Sequence, residues 1–180
     1  GYPGEERGIV PALDDYSGTT MGNLPIGQGL AVTPMQMMEA YAAIANGGIL
    51  RSPRLVTGTS GDTVAPEQGR RVLDTRAAAQ LRHMLEGVLE AGGTASSVTV
   101  PGYQLAGKTG TAQKVDDDGT YSETRYVGSF IGFAPAEDPS LLVAVIVDEP
   151  QGSHLGGEVA APAFADIAEF ALPYLGISPD

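Results

Sequence analysis

Cysteine is absent from the 180 residues, which excludes disulfide frameworks, thiolate metal sites and cysteine nucleophiles. Cations are scarce: ten Lys and Arg stand against 22 Asp and Glu, for a net charge of −12. Nucleic acid is therefore not an expected partner, because phosphate recognition draws on a surplus of Lys and Arg. Electrostatic docking on an anionic membrane is disfavoured for the same reason. Long apolar runs are also missing. The longest, Leu141 to Val147, is far short of the ~20 residues a spanning helix needs. The first residues, Gly1-Tyr2-Pro3-Gly4-Glu5-Glu6-Arg7, carry neither a Met start nor an apolar signal region, so the chain reads as part of a longer sequence. What is present suits one folded domain. An apolar share of 42% with 18% charged residues excludes a solvated tail, and this length allows a core that buries about 70% of the unfolded chain's surface.

Residues 1–26 are rich in Gly, Pro, Asp and Thr, and predict an irregular segment. Thr33-Pro34-Met35-Gln36 opens a helix, with Thr33 as cap, Pro34 in the first turn and Gln36 completing a capping box. Asn46-Gly47-Gly48 stops it. The stripe Met35, Met38, Ala42 and Ala45 is its expected inner face. Short strands are expected over 49–73, around a loop from Gly58 to Gly69. A second helix is expected from a cap at Asp74 to about Ala91, with Ala77, Leu81, Met84, Leu85, Val88 and Leu89 on one face. Three strands follow, Tyr103 to Gln113, Tyr126 to Ala134 and Leu141 to Asp148. Asp116-Asp117-Asp118-Gly119 is a hairpin signal, and Pro135–Ser140 is a second short link. Both make neighbouring strands antiparallel, since a parallel crossover needs a dozen residues or more. A last helix over Gly157 to Leu172 offers Val159, Phe164, Ile167 and Phe170 to the sheet. The expected fold is thus α/β of the α+β type, an antiparallel sheet with packed helices.

Gly102-Tyr103-Gln104-Leu105-Ala106-Gly107-Lys108-Thr109 matches the nucleotide-binding pattern G-x-x-x-x-G-K-[ST]. The physics of that site is missing. Its loop must wrap N–H groups around phosphate and feed a helix N-terminus. Here the intervening residues include no glycine, the following residues read as strand and turn, and three aspartates close by repel a triphosphate. A nucleotide-binding protein remains the alternative reading.

As a strand, the stretch sends Gly107, Thr109 and Thr111 to one side and Lys108 to the other. It offers a cation, two hydroxyls and, at Gly110, a backbone that a peptide can approach as an added strand. Lys108-Thr109-Gly110-Thr111 resembles the K-T-G element of penicillin-binding proteins and serine β-lactamases. Further segments resemble class B penicillin-binding proteins, the division-type peptidoglycan D,D-transpeptidases: Pro3-Gly4-Glu5 with Gly8, Gly27-Gln28-Gly29, Thr33-Pro34-Met35-Gln36 with Ala40-Tyr41, and Ala45-Asn46-Gly47-Gly48. Phe130-Ile131-Gly132-Phe133-Ala134-Pro135 and Gly156-Gly157 with Ala160-Ala161-Pro162 extend the similarity over nearly the whole chain, in the right order.

The resemblance implies a partial transpeptidase fold, with residues 1–180 as the C-terminal portion of one penicillin-binding domain. It implies that Lys108 sets a positive field and that the Thr111 N–H helps form an oxyanion hole. Thr109 and Thr111 hydroxyls then bind the carboxylate of a stem peptide or β-lactam, and Gly110 allows close approach. Tyr126 and Phe130 are further candidates to line the substrate groove, although the aromatic–aliphatic alternation of a half-buried strand also accounts for them. The resemblance calls for no cofactor and no metal. The family's nucleophile lies in S-x-x-K and a further serine in S-x-N. No serine here has Lys three positions on or Asn two on. Expected partners are therefore peptidoglycan stem peptide or β-lactam, and the part of the same protein that carries the nucleophile. Apolar faces left without those neighbours predict self-association. The resemblance also implies a place on the extracytoplasmic face of the bacterial membrane, anchored by an upstream segment. A non-catalytic peptide-binding module is the second alternative.

Other candidates have ordinary readings. His83 reads as a surface helical residue and His154 as a loop residue. Asp116–Asp118 misses the spacing of a calcium loop and reads as a solvated hairpin tip. Asp148-Glu149 marks a strand end, and Met35, Met37 and Met38 read as core filling.

Overall fold

A computed structural model describes residues 4–24, 27–56, 58–59, 62–63 and 68–179. The elements run in chain order as helix α1 (Thr20–Asn23), helix α2 (Pro34–Ala45), strands β1 (Ile49–Leu50), β2 (Gly58–Thr59), β3 (Asp62–Thr63) and β4 (Arg70–Arg71), and helix α3 (Thr75–Glu86). Strands β5 (Ala106–Val115), β6 (Tyr121–Ala134) and β7 (Leu141–Asp148) follow, then helices α4 (Gly156–Val159) and α5 (Ala161–Tyr174). β5, β6 and β7 form one antiparallel sheet in that order, as their short links require. β1 pairs with β4 and β2 with β3, both antiparallel. The irregular N-terminal segment is tied in by a bridge between Ile9 and Ala31.

The sheet carries helices on both faces. Strand alternation sends Phe130, Gly128 and Gly132 to one face and Ser129, Ile131 and Phe133 to the other. On the first, Phe130 meets Phe164 of α5 with ring centroids 4.9 Å apart. Ala160, Ala161, Ala168 and Leu172 close the same core. On the second, Phe133 and Ala106 pack with Tyr41 and Ala45 of α2 and Leu85 of α3. Each buried Phe contributes about 2–3 kcal/mol through removal from water.

The α2 capping box is formed: Gln36 N–H donates to Thr33 Oγ1 at 3.1 Å and Thr33 N–H donates to Gln36 Oε1 at 2.9 Å. Several expected faces are corrected. In α3, Met84 is 67% exposed and Ala78 is the buried residue, because the helix docks through Leu85. The helix also ends at Glu86, short of Ala91, and continues as turns. The final helix is broken at Ala160 into α4 and α5. Its inner stripe is Ala161, Phe164, Ala168 and Leu172, spaced three and four apart, which turns Ile167 and Phe170 outward. In α2 the fully buried residue is Ala43, and Met35 and Met38 are half-buried.

Candidate active-site groove

β5 lies at an edge of the sheet. Its register with β6 is regular from Ala106 to Gln113, with Lys108 opposite Ile131, Gly110 opposite Ser129 and Thr111 opposite Gly128; the one irregularity falls after Gln113. No wrapped loop or helix start occurs between Gly107 and Thr111, which removes the geometric basis of the nucleotide reading.

The ladder fixes where backbone groups point. Glu149 N–H donates to Tyr126 C=O at 2.9 Å. Alternation then turns the even-numbered residues of β6 toward β7 and the odd-numbered ones toward β5. Ser129 and Gly110 thus bond to each other, and Thr109 and Thr111 direct their N–H and C=O groups to the free edge of β5. Among the described residues the Thr111 N–H therefore has no partner there, and it is a donor of the kind that stabilises an oxyanion.

Beside this edge lies a groove of about 630 Å³. Lys108, Thr109, Gly110 and Thr111 form one wall, with Ser129 and Ile131 behind them, and Leu24, Gly27, Leu30, Met37 and Tyr41 complete it. Burial pushes the Tyr41 phenol above its ordinary value, so it lines the groove as a neutral group. The Lys108 ammonium curls onto its own strand, donating to Thr109 C=O at 3.0 Å and to Thr109 Oγ1 at 3.4 Å. Among the described residues no carboxylate pairs with it. Lys114, by contrast, is spent on Asp148 at 2.9 Å and Glu149 at 2.7 Å, and those two bonds hold its pKa above the ordinary lysine value. The groove wall thus offers a cation and outward amides, and the two threonine hydroxyls lie round the strand edge on the α4 side, a set suited to an anionic, extended ligand laid along that edge.

Both threonine side chains lie on the α4 face of the strand. Gly156 N–H donates to Thr111 Oγ1 at 3.3 Å. Thr109 Oγ1 lies 2.8 Å from Thr94 Oγ1. The start of α4 sits flat on this face because Gly156 and Gly157 leave room: a Cβ on Gly156 would fall 2.2 Å from Ser129 O and 2.4 Å from Gly110 O.

Lys108, Thr109, Gly110 and Thr111 are thus brought together along one wall. Phe130 is a correction. It pairs with Thr109 in register, yet its side chain is fully buried against Phe164, because that face is filled by α5. Tyr126 does not line the groove either. It lies on the same face, next after Gly128, and stacks on His154 with centroids 4.1 Å apart and planes 16° apart. His154 lies in the loop before α4, as expected, and packs there through this ring stack. Met37 lines the groove rather than the core alone. Ser129 and Thr94 have no signal in the sequence, since contacts across strands and turns leave no mark on local pattern, and Ile131 is marked only as part of a family-like segment. Met37 and Tyr41 lie in segments singled out for other reasons.

Comparisons with known proteins agree with this geometry. The family model described as Penicillin binding protein transpeptidase domain matches residues 1–169. Stage V sporulation protein D of Bacillus subtilis is 42% identical over 98% of this chain, which covers 28% of that protein. A probable peptidoglycan D,D-transpeptidase PenA of Neisseria gonorrhoeae is 37% identical over 99% of this chain and 30% of its own length. The chain thus spans about three tenths of these curated relatives. Among solved structures, penicillin binding protein 3 of Mycobacterium tuberculosis, complexed with aztreonam, superposes with a TM-score of 0.88 at 36% identity, over 99% of this chain and 43% of that one. The sheet with its helices on two faces is shared with that structure. By the span of the family match and the identity of these relatives, the chain belongs to the penicillin-binding protein transpeptidase domain family.

Proposed function

We propose that this chain supplies one wall of the acyl-transfer site of a serine D,D-transpeptidase that cross-links peptidoglycan stem peptides and binds β-lactams. The observation that carries the reading is the open edge of β5, where Lys108, Thr109 and Thr111 face a groove with outward backbone amides. A stem peptide lies along that edge as an added strand, its terminal carboxylate drawn to the Lys108 ammonium and the threonine hydroxyls. When a serine attacks the scissile carbonyl, negative charge develops on the carbonyl oxygen, and the Thr111 N–H is placed to donate to it; removing one such preorganised donor costs roughly 3–4 kcal/mol of transition-state stabilisation. The serine itself comes from another part of the protein, since no S-x-x-K or S-x-N occurs in these residues. The substrate places the groove outside the cytoplasmic membrane, with an anchor upstream. Among the described residues no helix is long and apolar enough to cross a membrane.

The test is mass spectrometry after incubation with penicillin. The chain alone stays at its unmodified mass. Joined in frame to an upstream segment bearing S-x-x-K and S-x-N, it gains one penicillin equivalent. In that protein Lys108→Ala lowers the acylation constant about 10²-fold, the scale of one lost electrostatic contact in a site. An adduct on the chain alone contradicts the reading, and reversible binding without an adduct in the joined protein favours a non-catalytic peptide-binding module.

A further inference from the structure

We propose that Thr94 is a positioning residue for this groove: its hydroxyl donates to Thr109 and so leaves the Thr109 O–H free to face an anionic ligand. The inference rests on the transpeptidase reading above and deepens it.

Thr94 lies in the turns after α3, fifteen positions before Thr109, with the two Oγ1 atoms 2.8 Å apart. Either hydroxyl could be the donor in an isolated pair. Lys108 and an anion bound beside it together select the direction. An ammonium only donates, and it reaches Thr109 Oγ1 at 3.4 Å. A hydroxyl has one proton and two lone pairs. If Thr109 gave its proton to Thr94, a remaining lone pair would face the groove and repel an anion. If Thr94 donates, both lone pairs of Thr109 are filled by donors and its one proton is left for the ligand. An anion beside Lys108 stabilises the second arrangement. The neighbouring Thr111 is set by the same logic, because the Gly156 N–H that reaches its oxygen cannot act as an acceptor.

Thr94 is exposed, but its backbone is fixed. The next residue, Ala95, is buried and donates its N–H to Val88 C=O at 3.0 Å. On the other side Gly157 packs so closely that a Cβ there would fall 2.1 Å from Thr94 O. The hydroxyl is thus presented from a turn clamped between the end of α3 and the start of α4.

The test uses the joined protein with its nucleophile segment, and compares acylation by penicillin with acylation by its methyl ester, which lacks the carboxylate charge. Thr94→Val is expected to lower the penicillin constant about three- to tenfold, the worth of one hydrogen bond. The ester constant should stay within about twofold of wild type, and Thr94→Ser should restore the penicillin constant, since it keeps the donor. Thr94→Ala removes the hydroxyl with no added bulk and repeats the measurement should valine perturb folding. Equal losses on both compounds, or no loss on either, overturn the inference while the transpeptidase reading stands. A wild-type protein that reacts with neither compound overturns the reading and the inference together.

Discussion

Strand alternation gives adjacent residues of Lys108–Thr111 different tasks. Lys108 and Gly110 bond their backbones into the sheet, which leaves Lys108 only its side chain to offer the groove. Thr109 and Thr111 point their side chains to the α4 face and their amides to the open edge. The same alternation explains Phe130. Its place on a strand is legible from pattern, but its register opposite Thr109 is not, because the pairing shifts between Gln113 and Val115, and neither is the face it takes, which depends on where α5 docks. Phe130→Ala is expected to destabilise the fold by about 3–5 kcal/mol, the cost of emptying a fully buried aromatic site. Urea unfolding measures this. A cost near that of a surface change would instead place Phe130 at the groove.

At the level of elements, the strands of the main sheet and their antiparallel order were legible, because Asp116–Gly119 and the link to Leu141 are too short for any other connection. The α2 start was legible for a chemical reason, the reciprocal cap of Thr33 and Gln36. Helix phase was less so: α5 is apolar on more than one side, and only the fit of Phe164 against Phe130 selects the inner one. The hairpin that carries β5 into β6 is pinned by Arg125, whose Nε donates to Asp116 at 3.1 Å. That bond is the first cause holding the Asp116 carboxyl below its usual value of 3.8, with the desolvation of the site opposing it. A depressed carboxylate stabilises the fold above its unfolded value, and that contribution is lost as pH falls through the lower folded value. Asp116→Asn is therefore expected to flatten the loss of thermal stability below about pH 4 and to leave a small deficit at pH 7. Melting temperatures of both proteins across pH 2–7 check this; parallel acid limbs would contradict it.

For the molecule as a whole, the chain leaves apolar surface uncovered. Among the described residues no strand pairs with the outer edge of β7, where Ile146 is 42% exposed, and Phe170 and Tyr174 stack on each other at the surface of α5. An open strand edge beside exposed aromatics favours pairing with another chain. On its own the chain is expected to self-associate, with a weight-average mass that rises with concentration in sedimentation. Ile146→Lys, a charge on the edge strand, should lower that rise. A mass that stays monomeric at every concentration would show these faces to be satisfied within the chain. The long-range charge is equally a whole-molecule property. With a net −12, the protein attracts an anionic ligand only locally, through a lysine that no carboxylate neutralises among the described residues.

The most direct measurement is a crystal structure of the joined protein acylated by penicillin. The acyl carbonyl oxygen is expected within about 2.7–3.1 Å of the Thr111 N–H, with the ligand carboxylate at Lys108 and the two threonine hydroxyls. An acyl group seated away from β5, with the Thr111 amide facing only water, would contradict the assignment of this edge.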